Sequence, residues 1–388
     1  MNSLEPGMSP NVLPRRRSTG LLRGVAVGAI AVLGVGLAAC GESSADDVDA
    51  APAPESTCEA GAVAYGEIDD DAGAVEVDEG ALVVYSGRNE ELVAPLLEEF
   101  TEATGTELSV RYGSTPSITA QLLAEGADSP ADVVLLQDAG ALGALADAGC
   151  LADLPEDVTG QTFEAYADDD SRWVPVTGRA RVVVYNPELI AEEDLPQTTA
   201  ELVDERFAGQ IAIAPGNASF QAFVTALRVQ EGEDAAEEFV QALVDTDAPV
   251  YSKNGEILEA VDAGEVPMGL INHYYWFERA VEVGADNVTA QLHYLQDGEA
   301  GSLVNVSGSG VVSSTDRSAD ALALVEFLLS EQAQEYFANE TYEYPMTSAV
   351  PTAAELPALD ELDSPDIDLD ELASLSRTLD LLDRVGLT

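Results

Sequence analysis

An α/β clamshell of two lobes is the fold class this sequence predicts, and three observations carry it. From residue 81 onward, short apolar runs alternate with segments of helical period. The apolar run over 173–185 is longer than one strand needs and holds Gly178. The chain, at 388 residues, exceeds what a single core usually organises. Strand–helix alternation implies a mainly parallel sheet covered on both faces, and a glycine inside an over-long strand suggests a bend or a crossing between lobes. Lobes joined by two or more crossings leave a cleft where their strand ends meet, and a ligand is expected there.

The N-terminus carries Arg15, Arg16, Arg17 and Arg23, then an apolar run over 25–39 that ends in small residues. This pattern makes residues 1–39 a secretory signal, too short for an ordinary transmembrane helix. The stretch Leu37-Ala38-Ala39-Cys40-Gly41 resembles the bacterial lipobox, which implies cleavage before Cys40 and diacylglyceryl attachment to its thiol. Residues 40–79, rich in Asp, Glu, Ala, Ser and Pro, lack a sustained hydrophobic period and are expected to form an acidic, disordered tether. Cys58 and Cys150 remain, and outside the cell an even pair favours a disulfide, here one that pins the leading segment to the first lobe.

The folded body follows. Strands are expected at 82–85, 108–112 and 132–136, with helices at 117–125, at 139–148 and over the run Leu92, Val93, Leu96, Leu97, Phe100, which Gly105 closes. A second set holds strands at 211–214, 249–251 and 266–271 and helices at 219–230, 235–243 and 255–263. The chain crosses back over 291–306, and helices at 319–329 and 332–339 rejoin the first set. Lobe 1 is therefore expected to hold 80–180 and 300–348, and lobe 2 to hold 181–299 and 349–388. The acidic tail keeps a helical period through Leu369, Leu372, Leu375, Leu379 and Leu382, so it should dock rather than trail.

Charge narrows the function. With 72 acidic against 16 basic residues, a formal charge of −56 and Lys253 as the only lysine, the surface repels nucleic acid and anionic lipid headgroups. Salt adaptation of a secreted protein accounts for such acidity, so charge alone names no cation ligand. Enzyme signatures are missing: there is no H-E-x-x-H, no G-x-S-x-G, and only two histidines.

The stretch 269–279, GLINHYYWFER, organises the rest. Neighbouring tyrosines on a helix point about 100° apart, so Tyr274 and Tyr275 converge on one ligand only where the backbone is turning. The end of an apolar strand entering a helix is such a place, and ligand sites of open α/β sheets lie at the carboxyl ends of strands. An aromatic cluster packed into a domain edge is the alternative. His273 alternates away from Tyr274 and reads as a hydrogen-bonded structural residue, and Trp276 and Phe277 as core or cleft wall.

Five motifs taken in order, YSGRNE (85–90), ADVVLLQDAGAL (131–142), GRARVVVYN (178–186), IAPGNASFQAFVTALR (211–228) and GEVPMGLINHYYW (264–276), resemble the ferric-iron-binding solute receptors of ABC importers. These belong to the type II periplasmic-binding-protein superfamily, and the resemblance covers most of 81–388. It implies a lipid-anchored receptor on the extracytoplasmic face of the cell membrane, expected as a monomer, that takes Fe3+ into the cleft and passes it to an ABC permease. It also implies tyrosinate ligands at Tyr274 and Tyr275, and a third at Tyr185 as in some members. Hard Fe3+ suits anionic oxygen donors, and a bound cation stabilises a phenolate despite its ordinary pKa near 10.

This chain departs from the pattern at three positions. Asn89 replaces a histidine, Glu90 a tyrosine, and Gln137 a glutamate that some members use. Glu90 is the candidate for the fourth ligand, with a first-turn helix role as its alternative. A synergistic carbonate or phosphate is implied, held by Arg88 and Arg181, whose planar forks suit oxyanions, and by positions matching Asn217, Ser219, Asn254 and Asn272. Pairing with surface carboxylates is the alternative for the arginines, and N-capping for Asn217 and Ser219. The competing function is the same clamshell serving a small oxyanion, a polyamine or another metal.

Overall fold

The first sheet is built on β1 (Leu82–Ser86), β2 (Leu108–Tyr112) and β3 (Val133–Leu136), with β1 parallel to both neighbours. The computed structural model describes residues 80–296, 298–353 and 355–388 together with Cys58, all within one unit spanning 54–388. The signal segment, Cys40 and the tether apart from Cys58 lie outside the described residues. Helices α1 (Glu90–Thr104), α2 (Thr115–Glu125) and α3 (Ala139–Asp147) follow these strands, and the short α4 (Glu156–Thr159) leads on toward the next. The helix boundaries are chemical. Ser114 and Asp138 cap the starts of α2 and α3 through their side chains, and Gly105 ends α1 in the left-handed conformation.

The long apolar run becomes one strand, β4 (Val174–Tyr185), buried along its whole length. Beyond it come β5 (Ile211–Ala212), α5 (Ala218–Glu231), α6 (Glu233–Asp245), α7 (Asn254–Asp262), β6 (Met268–Asn272), α8 (Tyr274–Val283) and β7 (Gln291–His293). The chain then returns through β8 (Val304–Val311), α9 (Ser318–Leu328), α10 (Glu331–Glu340) and β9 (Tyr344–Pro345), and ends in α11 (Leu375–Val385). The strand order is β2-β1-β3-β8-β4-β6-β5, with β7 and β9 also on β4. As far as Ala180, β4 pairs with β8; from Arg181 it pairs with β6. One strand therefore serves both sheets, and its residues around 179–181 sit where the two meet. Gly178 does not break it. A Cβ there would lie 2.4 Å from Met346 Cε and 3.2 Å from Tyr344 Cβ, so the glycine lets the β9 segment lie against the strand.

Cys58 and Cys150 are joined by a disulfide, with Cα atoms 4.3 Å apart. The C-terminal tail is docked but does not keep to one side. Its 3₁₀ turn at Leu369–Ala373 lies on α3, where a Cβ on Gly140 would meet Leu372 O at 2.3 Å, and the Trp173 indole donates to Asp370 Oδ1 at 3.1 Å. Further on, α11 lies on α5, with the Thr225 and Thr378 hydroxyls 2.7 Å apart and Arg228 donating to Thr378 at 2.9 Å. The tail straps elements of both sheets.

Burial, then the adjacent Asp168, pushes the Asp370 carboxyl up to about 7. The folded state thus favours the protonated form. The stability this gives is complete below the ordinary carboxylate value and is lost as pH rises toward about 7. Asp370→Asn keeps an acceptor for Trp173 and removes the charge. The variant should melt a few degrees above the wild type at alkaline pH and lose that advantage near the ordinary carboxylate pKa; parallel melting curves across pH would show that the pair does not titrate.

Candidate functional site

Strand β6 runs into α8 through His273 alone, whose backbone is already helical. The backbone N–H of Ala180 donates to His273 Nδ1 at 3.1 Å, which leaves Nε2 as the donor to Tyr342 O at 2.7 Å. Burial draws its pKa down to about 4, so the neutral ring is a clip between β4 and the segment before β9, with both nitrogens engaged. Held by this clip, Tyr274 and Tyr275 emerge side by side. Their rings stack with centroids 4.4 Å apart at 26°, Tyr274 is buried, and Tyr275 is partly so.

Burial, then the neighbouring phenol, holds the Tyr274 hydroxyl well above its ordinary pKa, against an opposing pull from Arg179. Burial likewise raises Tyr275. Alone, both phenols are neutral at physiological pH. Beneath them, Glu343 accepts from Arg88 Nη1 at 3.0 Å and Nη2 at 2.6 Å, and from Thr177 and Thr341 at 3.0 Å each, with Arg179 Nε 3.8 Å away. Arg179 favours the ionised form of both phenols, while Glu343 opposes it at Tyr274.

Arg181 lies opposite Asn272 in the β4–β6 register. Its Nη1 donates to Ser219 Oγ at 3.0 Å, while Nε and Nη2 are buried without a partner. Burial draws it down to about 9. Ser219 Oγ also accepts from Asn254 Nδ2 at 2.8 Å and donates to Asn217 Oδ1 at 2.7 Å, and Asn217 caps α5 by accepting from Ser219 N. Arg179, Arg181, Ser219 and Asn272 border a cavity of about 20 Å³, close to one water in size.

The structure thus brings Tyr274, Tyr275, Arg181, Asn217, Ser219, Asn254 and Asn272 to one region. It does not bring three other candidates there. Tyr185 pairs with Met268, at the other end of β6 from the tyrosines, and its hydroxyl donates to Gln291 Oε1 at 2.8 Å. It lies four residues along the strand from Arg181, on the order of 13 Å. Arg88 is committed to the buried Glu343 rather than to an open subsite. Glu90 is the exposed first residue of α1, where its charge acts on Tyr112.

Sequence reasoning missed Arg179, Glu343 and Glu278. Glu343 offers no local signal, since its partner Arg88 is 255 residues away. Glu278 was within reach, three and four residues past the tyrosines on one helix. Burial, then Glu343, holds its carboxyl up to about 7. On the other side of α8, Trp276, Phe277, Ala280 and Val281 line a separate apolar groove of about 680 Å³. Among the described residues no three His, Cys, Asp or Glu side chains gather to hold a metal, so a metal here would depend on the phenols.

Residues 128–375 match a family described as bacterial extracellular solute-binding protein. The chain is 31% identical to the Fe(3+)-binding periplasmic protein of Serratia marcescens over 81% of this chain and 93% of that one. It is 30% identical to the major ferric iron-binding protein of Neisseria meningitidis serogroup B, over 79% and 93%. Iron-bound HitA from Pseudomonas aeruginosa superposes with a TM-score of 0.75 at 32% identity, covering 79% of this chain and 99% of that one. The two-lobed clamshell is therefore the fold.

Proposed function

Because this chain belongs to the bacterial extracellular solute-binding proteins, we propose that it captures Fe3+ between its lobes through Tyr274 and Tyr275 and delivers it to an ABC permease. The chain is a receptor and not an enzyme. The observation that carries the iron reading is the stacked tyrosine pair where β6 enters α8. Two phenolates offer hard anionic oxygen to a hard trivalent ion, and the ion supplies the charge that ionises them.

Arg181, with Ser219, Asn254 and Asn272 around it and Asn217 fixing Ser219, is the proposed seat of a carbonate or phosphate that completes the sphere. Its two unpartnered nitrogens support this. Tyr185, Glu90 and Arg88 are left out of the direct contacts on the placements above. The lipobox supports an anchor through Cys40 on the extracytoplasmic face, with the protein acting as a monomer.

The same guanidinium favours one second reading, a receptor for a small oxyanion alone. One titration separates them. Apo protein mixed with ferric citrate should develop a broad tyrosinate-to-iron band that saturates at one equivalent. A colourless solution that still binds phosphate would replace the first reading with the second.

A further inference from the structure

We infer that Glu278 is a direct carboxylate ligand of the captured cation, completing from α8 itself the set that Tyr274 and Tyr275 begin. This rests on the iron reading above. The helix places it: Glu278 follows Tyr275 by three residues and Tyr274 by four, the spacing that sets side chains on one face. The opposite face is accounted for, because Trp276, Phe277, Ala280 and Val281 line the apolar groove. Glu278 is therefore turned toward the other lobe, where the charges that act on it are Glu343, Arg88 and Glu91. Arg88 and Glu91 flank the start of α1 and Glu343 precedes β9, all on the first-sheet side.

Its lack of partners is informative. Glu278 is half-buried, yet among the described residues it forms no hydrogen bond or ion pair, and two of its three charged neighbours are carboxylates. A desolvated carboxylate facing like charges either keeps its proton or takes a cation beside it. Arg88, the one cation nearby, is bound bidentate to Glu343. A trivalent ion held by the adjacent phenolates supplies the missing charge, and a carboxylate oxygen is a donor of matching hardness.

The test titrates wild-type protein, Glu278→Gln and Glu278→Asp with ferric citrate, following the visible band, retention against added citrate, and the melting of each apo protein. The expected result is that Glu278→Gln shifts the band and weakens retention at least about tenfold. Its apo form should melt no lower than wild type, and Glu278→Asp should recover part of the affinity. A wild-type band with Glu278→Gln unchanged in wavelength and retention overturns the assignment and leaves the tyrosine site standing. A lower apo melting point with an unshifted band also overturns it, since that marks a structural carboxylate. Absence of the band in wild type removes the iron reading itself, and this inference with it.

Discussion

Tyr275→Phe should give a clearly weaker band with ferric citrate, from Tyr274 alone, and hold Fe3+ at least about 100-fold more weakly than wild type, because loss of a direct donor outweighs the roughly 10–100-fold cost of losing an outer-shell partner. The acid–base state of the pair gives a second signature. Burial raises both phenols above their ordinary pKa, so each enters capture with its proton and releases it on binding. Between about pH 7, above which Glu278 is ionised, and those pKa values, the logarithm of the intrinsic affinity should rise by up to about two per pH unit in wild type and about one in the variant. Titrations at several pH values, corrected for the protonation of citrate, measure both slopes. Tyr185→Phe is the contrast: its hydroxyl is bonded to Gln291 at the far end of β4, so band and affinity should stay as in wild type. A full-strength band in Tyr275→Phe, or a lost one in Tyr185→Phe, would reverse the ligand assignment.

Glu343→Gln should cost roughly 3–5 kcal/mol, the range for removing one partner of a buried ion pair. The carboxylate is essentially inaccessible and stands between Arg88 and Arg179, both also buried. The neutral amide keeps the shape but leaves two guanidinium groups uncompensated, and it turns an acceptor of the Arg88 fork into a donor. For a protein of this size the loss corresponds to a fall in Tm on the order of 5–10 °C. The double variant Glu343→Gln with Arg88→Gln should recover part of the loss, since one stranded charge is gone. Melting curves of the three proteins decide it: a Tm within about 1 °C of wild type in Glu343→Gln would mean the cluster contributes little.

Local chemistry made much of this molecule legible. The cap at Asn217 and the stop at Gly105 are written in the chain because they act over a few residues. The tyrosine pair was legible for the same reason: one residue, His273, separates the end of β6 from α8, and nothing distant is needed to place the two rings together. Apolar runs at 132–136 and 82–85 announced the buried strands β3 and β1. Gly178 read as a bend or a crossing, but the strand runs on through it, and the reason for a glycine there, the approach of Met346, lies far along the chain.

What the sequence determined by itself was whatever depends on neighbours: strand and helix alternation, helix ends, and a turn that sets two phenols side by side. Tertiary structure alone decided distance. The side-chain period of β4 says which face Tyr185 and Arg181 occupy, but only pairing with β6 reveals that they stand at opposite ends of that strand relative to Tyr274. Only folding commits Arg88 to Glu343 and turns Glu278 toward them. A buried charge takes its partner from whatever the fold brings near, and residues 255 apart in the chain carry no local trace of that meeting.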